Sequence, residues 1–130
     1  LRFPNRQVFS IVGDGGALMT GSELATAVAQ NANIRVIVAN NQHYGTIRYH
    51  QEVHFPTRDH YATNLVNPDF AKYGESFGLR CFTIEKIEEI VPAIQEAMEV
   101  SGPSLIEYKM SLELNTSTTT ISQLQMNINN

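Results

Sequence analysis

Two short apolar runs, Gln7–Val12 (QVFSIV) and Arg35–Ala39 (RVIVA), constrain this chain more than any other feature. Both are rich in β-branched residues and lack the polar alternation of a sheet with one wet face, so each is expected as a buried strand. Between them, Thr20–Gln30 (TGSELATAVAQ) places Leu24, Ala27 and Val28 on one helical face, with Ser22 as a candidate cap and Glu23 as a helix-start charge. Strand, helix and strand in this order make a βαβ unit, which requires parallel strands and a right-handed crossover.

The pattern resumes further along. Asn67 is a candidate N-cap with Pro68 at the first helical position, and Gly78 closes that helix. Arg80–Thr83 reads as a short strand. Ile87, Ile90, Val91, Ile94, Ala97 and Met98 form an apolar stripe opposite glutamates, and Pro92 pushes the regular start of this helix to about Glu88 or Glu89. Pro103 precedes a fourth strand, SLIEY. The fold class is therefore α/β, a mostly parallel sheet with helices on both faces. The stretch 40–67 has no clear period and reads as a long polar, histidine-rich loop, a class that is usually functional. Residues 115–130 carry no charge and little apolar content, and are expected as a polar C-terminal tail, extended or disordered, beyond a domain at 1–114.

Length and charge narrow the function classes. A chain of 130 residues has room for one domain. Its net charge of −4 argues against a nucleic-acid backbone as partner, and no apolar run approaches the roughly 20 residues that span a bilayer, so no membrane partner is expected. The single cysteine, Cys81, cannot form an internal disulfide; it reads as a small buried hydrophobe, and the expected location is cytoplasmic. The chain opens LRFPNRQVF, without an initiator methionine, and is expected to be a piece of a longer polypeptide.

The chemistry is expected at the carboxyl ends of the strands, where ligands sit in open α/β sheets. The first strand ends in Gly13-Asp14-Gly15-Gly16 and the second in Asn40-Asn41, with 24 residues between Gly15 and Asn40, enough for one crossover helix. Asp14 and Asn41 should then project into one crevice. A carboxylate and an amide oxygen are hard ligands suited to Mg²⁺, which takes phosphate oxygens to complete its octahedron. The glycines let the backbone approach a phosphate and point N–H groups at it, and the following helix start adds positive potential. Asn40 and Asn41 also suit turns, since asparagine tolerates left-handed backbone.

This arrangement, GDG, some two dozen residues and then NN, within strand–helix–strand, resembles the thiamine-diphosphate enzymes. The likeness runs from Leu1 to about Leu114 and covers the diphosphate-binding domain. It implies thiamine diphosphate and Mg²⁺ as cofactors. The implied metal ligands are Asp14, the Asn41 side chain and the His43 backbone carbonyl. Gly15, Gly16 and Ala17 would lie along the diphosphate, with Gly13, Tyr44 and Gly45 completing the cofactor-binding set. Within the family, NNQHYGTIRYHQE is most similar to the acetolactate synthase branch. Synthases of that branch usually carry a tryptophan just ahead of Gln51, at the position of His50, where it helps shape the pocket for the second keto acid. This chain contains no tryptophan, so the resemblance is to an acetolactate synthase-like protein.

The resemblance implies a parent enzyme that decarboxylates a 2-keto acid and joins the product to a second carbonyl. The alternatives are simple 2-keto acid decarboxylation and a non-catalytic or split-subunit binding module. It also implies a homodimer or homotetramer with the cofactor at the subunit interface. The glutamate that activates the cofactor is expected in a separate domain, so the catalytic residue lies outside this chain and residues 1–130 alone are expected to be inactive. Arg48, His50 and Gln51 are substrate candidates. Arg48 suits a carboxylate, with an ordinary surface ion pair as the equal alternative. All four histidines, His43, His50, His54 and His60, fall in one 18-residue stretch. In His50-Gln51-Glu52-Val53-His54 the glutamate stands one place too late for a zinc-protease helix, so the stretch is expected as a polar loop over the active site. Tyr44 and Tyr49 read as packing residues more readily than as chemical ones.

Overall fold

The computed structural model describes residues 2–3, 5–55, 59–114 and 119–128. Four strands, β1 (Val8–Gly13), β2 (Ile34–Asn40), β3 (Arg80–Ile84) and β4 (Ser104–Lys109), form one sheet in the order β1-β2-β4-β3. Every pairing is parallel, as an α/β chain requires. The steps from β1 to β2 and from β2 to β3 run one way across the sheet, and the step from β3 back to β4 runs the other. Right-handed crossovers therefore put the helices of the first two connections on one face and the helix of the third on the opposite face.

The packing follows that rule. On the first face lie α1 (Asp14–Thr20), α2 (Leu24–Ala29) and α4 (Phe70–Ser76). There Ala17, Leu24, Val38, Phe70, Leu79 and Leu105 form one core cluster. On the other face α5 (Ile90–Glu99) contributes Ala97 to a second cluster with Ile84 and Ile106. Leu105 and Ile106, neighbours in β4, point to opposite clusters because side chains alternate along a strand.

Several expectations need correction. The first helix was expected over Thr20–Gln30 but begins at Asp14, directly after β1, with Gly13 as its N-cap and a 3₁₀ turn at Gly21–Glu23 before α2. Gly15 and Gly16, read as the end of the first strand, lie in its first turn, and Ala17 and Leu24 both reach the core with Val38 and Phe70. Ser22 caps nothing; it lies inside the 3₁₀ turn. Asn67 is not the cap of α4. Asp69 is, accepting from the Lys72 backbone N–H at 2.9 Å, while Asn67 is engaged elsewhere. Gly78 does close α4, in left-handed backbone at φ 91°. A 3₁₀ turn at Ile87–Glu89 precedes α5, which puts Pro92 in the first turn of the helix, where it is tolerated.

The stretch read as a long loop contains α3 (Gly45–His54). Its buried residues are Arg48 and Glu52, whereas Ile47 and Val53 are 52% and 37% exposed. The polarity of the helix is inverted, so hydrophobic periodicity could not reveal it. The tail read as extended contains α6 (Ile121–Ile128), which docks on α3 and buries Ile121. Its first turn is held by Glu113, whose carboxylate accepts from the Ser122 backbone N–H at 3.1 Å and the Ser122 hydroxyl at 2.7 Å. Residues 115–118 and 129–130 of the expected tail lie outside the described residues. The expected burial of β1 is also not met: it is the sheet edge, and Val8, Phe9 and Ile11 are exposed. Among the described residues no helix is long and apolar enough to cross a membrane.

Candidate functional site

The carboxyl ends of β1 and β2 lie side by side, since Gly13 pairs with Ala39. Asp14 follows at once and is 2% exposed. Its Oδ1 accepts from the Gly15 backbone N–H at 2.9 Å and its Oδ2 from Asn67 Nδ2 at 2.7 Å. Asn67 Nδ2 also donates to Asn40 Oδ1 at 2.8 Å, and Asn40 Nδ2 donates to Glu107 Oε1 at 2.7 Å. Strand periodicity explains this meeting. Val38 and Asn40 point to one face of β2, Glu107 stands opposite Val38 in the register, and Asn67 lies two residues before Asp69, the N-cap of the helix covering that face. The hydrogen-bonded link from β2 back to Asp14 therefore runs through Asn40 and Asn67, not through Asn41.

Asn41 has a separate set of partners. Its Nδ2 donates to the Leu114 carbonyl at 3.2 Å, and its Oδ1 accepts from the His43 backbone N–H at 3.3 Å. The His43 ring Nδ1 lies 2.7 Å from the Asn41 carbonyl. Gln42 takes left-handed backbone, φ 58°, and turns the chain so that His43 bridges Asn64 in antiparallel fashion. That bridge uses the Gln42 carbonyl and the Tyr44 N–H, so it does not consume the His43 carbonyl. The donor set of Asp14, Asn41 Oδ1 and the His43 carbonyl is all hard oxygen and fits Mg²⁺ in kind. A carboxylate offers about four lone-pair sites, and Asp14 commits two of them to the bonds above.

The glycines have a packing reason of their own. A Cβ on Gly15 would stand 2.5 Å from Tyr44 Cε1, and one on Gly16 would stand 2.8 Å from Val12 Cγ2. Around Gly13 there is open space. The Ala17 side chain points into the core, so only its backbone is available to a ligand. Gly45 opens α3, with Tyr44 as its N-cap.

The three substrate candidates separate. Arg48 forms a 2.7 Å ion pair through Nε with Glu52, one turn on, and the two side chains are only 8% and 10% exposed. This is a buried pair, not the surface one weighed above. Gln125 of α6 donates to the Glu52 carboxylate at 3.3 Å. Arg48 also borders a cavity of about 390 Å³ with His43, His60 and Glu113. Gln51 instead clasps the Tyr61 backbone, accepting from its N–H at 2.8 Å and donating to its carbonyl at 3.0 Å. His50 is exposed on the outer side of α3, stacked on His54 with ring centroids 5.6 Å apart. Neither lines the cavity. Cys81 is half-buried against the first core cluster, and burial pushes its thiol up to about 11, so it is neutral and inert there.

Sequence reasoning missed Asn67, read as a cap, and Glu107, read only as part of a strand. The available signal for Glu107 was a lone acid inside the apolar run Ser104–Tyr108, which a buried strand tolerates only with a partner.

Residues 1–108 match the family described as thiamine pyrophosphate enzyme, C-terminal TPP binding domain. The chain belongs to that family. It is similar to the 3D-(3,5/4)-trihydroxycyclohexane-1,2-dione hydrolase of Bacillus subtilis, 36% identical over 118 residues, which cover 85% of this chain and 18% of that protein. It is similar to the acetolactate synthase large subunit of Corynebacterium glutamicum, 34% identical over 111 residues, 81% of this chain and 18% of the synthase. Among solved structures it matches the thiamine diphosphate-dependent 4-hydroxybenzoylformate decarboxylase of Rhodococcus jostii RHA1, with a TM-score of 0.76 and 27% identity over 83% of this chain and 20% of that one. This thiamine pyrophosphate-binding domain thus spans about a fifth of the length of the relatives it matches.

Proposed function

We propose that this domain binds thiamine diphosphate through Mg²⁺ and belongs to an acetolactate synthase-like enzyme, which decarboxylates a 2-keto acid and joins the product to a second carbonyl. The observation that carries the metal reading is Asp14. It is a carboxylate 2% exposed at the carboxyl end of β1, oriented by two hydrogen bonds and carrying lone pairs beyond them. In this reading Asp14, the Asn41 side chain and the His43 carbonyl hold the metal. The backbone of Gly15, Gly16 and Ala17 lies along the diphosphate. The chemistry supplied by the cofactor when bound is that of an electron sink for a carbanion. The chain's own part is to fix the diphosphate end and to border the substrate cavity.

Arg48 favours a substrate bearing a carboxylate. Its pairing with Glu52 uses one of five guanidinium donors, and the residue lines the cavity beside His43 and His60. The 36% identity to a hydrolase of a 1,2-dione supports a second reading, in which the substrate carries a neutral carbonyl pair. In both readings the intact protein is a cytoplasmic homodimer or homotetramer with the cofactor at the subunit interface.

The test supplies the intact protein, with Mg²⁺ and thiamine diphosphate, with pyruvate as the 2-keto acid. Release of CO₂ with formation of acetolactate is the expected result. CO₂ with free aldehyde would indicate simple decarboxylation. No turnover of pyruvate, with hydrolysis of a cyclic 1,2-dione, would replace this reading by the second. No turnover of either would favour a binding module.

A further inference from the structure

Asp14 stands at one end of a line of side chains that starts well away from it. At the far end is Glu107, 1% exposed in β4. Its Oε1 accepts from Asn40, and its Oε2 has no hydrogen-bond partner among the described residues. A buried carboxylate satisfied on one side is costly to keep. It does one thing that an amide cannot: an ionised carboxylate accepts and never donates. Asn40 must therefore turn Nδ2 towards Glu107, which turns its Oδ1 towards Asn67. Asn67 must then present both hydrogens of Nδ2, one to Asn40 and one to Asp14. With Glu107 as anchor, every amide in the line has one permitted orientation, and the line ends with a donor on Asp14 Oδ2.

We infer that Glu107, Asn40 and Asn67 are positioning residues for Asp14, setting the direction of its carboxylate before a metal arrives. The inference rests on the reading of Asp14 as a metal ligand. With Oδ2 held by Asn67 and Oδ1 by the Gly15 N–H, the carboxylate cannot rotate to follow the ion. Hydrogen bonds to ligating carboxylates are worth about 10–100-fold in metal affinity.

Glu107→Gln separates this role from a structural one. It keeps the volume, so a purely structural Glu107 would be replaced at little cost. A glutamine, however, can also donate to Asn40. That permits the line to flip and withdraws the donor from Asp14. The intact protein, stripped of metal, is titrated with Mg²⁺ at fixed thiamine diphosphate, with binding followed by calorimetry. For Glu107→Gln and Asn67→Ala, the Mg²⁺ concentration at half-saturation rises about tenfold or more. At saturating Mg²⁺ the affinity for thiamine diphosphate returns to the unsubstituted value. Unchanged half-saturation in both variants overturns the inference, as does a loss that saturating Mg²⁺ does not restore. Asp14→Ala runs beside them: if it too leaves Mg²⁺ dependence unchanged, the failure lies with Asp14 as ligand and not with the line behind it.

Discussion

Tyr44 lies against Gly15 so closely that the smallest side chain does not fit. Gly15→Ala is therefore expected to destabilise the domain by about 1–3 kcal/mol, the usual cost of overpacking. Urea denaturation measures it, and Tyr44→Ala in the same background should recover part of the loss. Arg48 gives a second residue-scale prediction. Arg48→Met leaves the Glu52 side chain buried beneath α6 without its ion-pair partner, at a cost of roughly 3–5 kcal/mol, whereas Arg48→Met with Glu52→Leu recovers most of it. A double-mutant cycle by denaturation checks both values. The Cys81 thiol, raised from 9.0 to about 11, should react with iodoacetamide at pH 8 about a hundredfold more slowly than a free cysteine of ordinary acidity. Equal rates would mean that the thiol is not buried as described.

At the scale of elements, α6 hangs on Glu113. The hydrogen bonds from the Ser122 hydroxyl and backbone N–H hold the Glu113 carboxyl below its ordinary value of 4.5. A depressed folded value means that this contribution is present above pH 4.5 and is lost as pH falls through the lower folded value. The protection of amides in the first turn of α6, measured by hydrogen exchange relative to the intrinsic rate at each pH, should therefore fall on acidification through that window, ahead of protection in β2 or β4. Exchange that stays uniform across these elements would contradict the role of Glu113. The elements also show what a sequence makes legible. Strands β2 and β4 could be read because their apolar runs match their burial, whereas β1 and the stripe of α5 were legible from pattern alone, since Val8, Phe9, Ile11, Ile87, Val91 and Met98 are exposed. Helix α3 could not, because it buries Arg48 and Glu52 while exposing Ile47 and Val53. Helix α6 was hidden because its docking depends on α3 and on Glu113, neither of which local composition records. Asn67 illustrates the same limit at the site. As a cap it satisfied every local rule, yet its amide is claimed by Asp14, 53 positions away in sequence.

The whole molecule is one parallel sheet whose two connection directions sort the helices onto two faces and leave the strand ends Gly13-Asp14 and Asn40-Asn41 together at one edge of the fold. That architecture was readable from the order of apolar runs and helices, and the family from the resemblance carried by GDG, NN and their spacing. The polar line from Glu107 was not readable, because it joins residues through register and crossover. The central claim is that Mg²⁺ held at Asp14 links this domain to thiamine diphosphate. The measurement that tests it most directly is calorimetric titration of thiamine diphosphate into the intact protein, with and without Mg²⁺, beside the Asp14→Ala variant. The account predicts tight binding only when Mg²⁺ is present, and its loss in the variant. Binding of equal strength without Mg²⁺, or in Asp14→Ala, would contradict it.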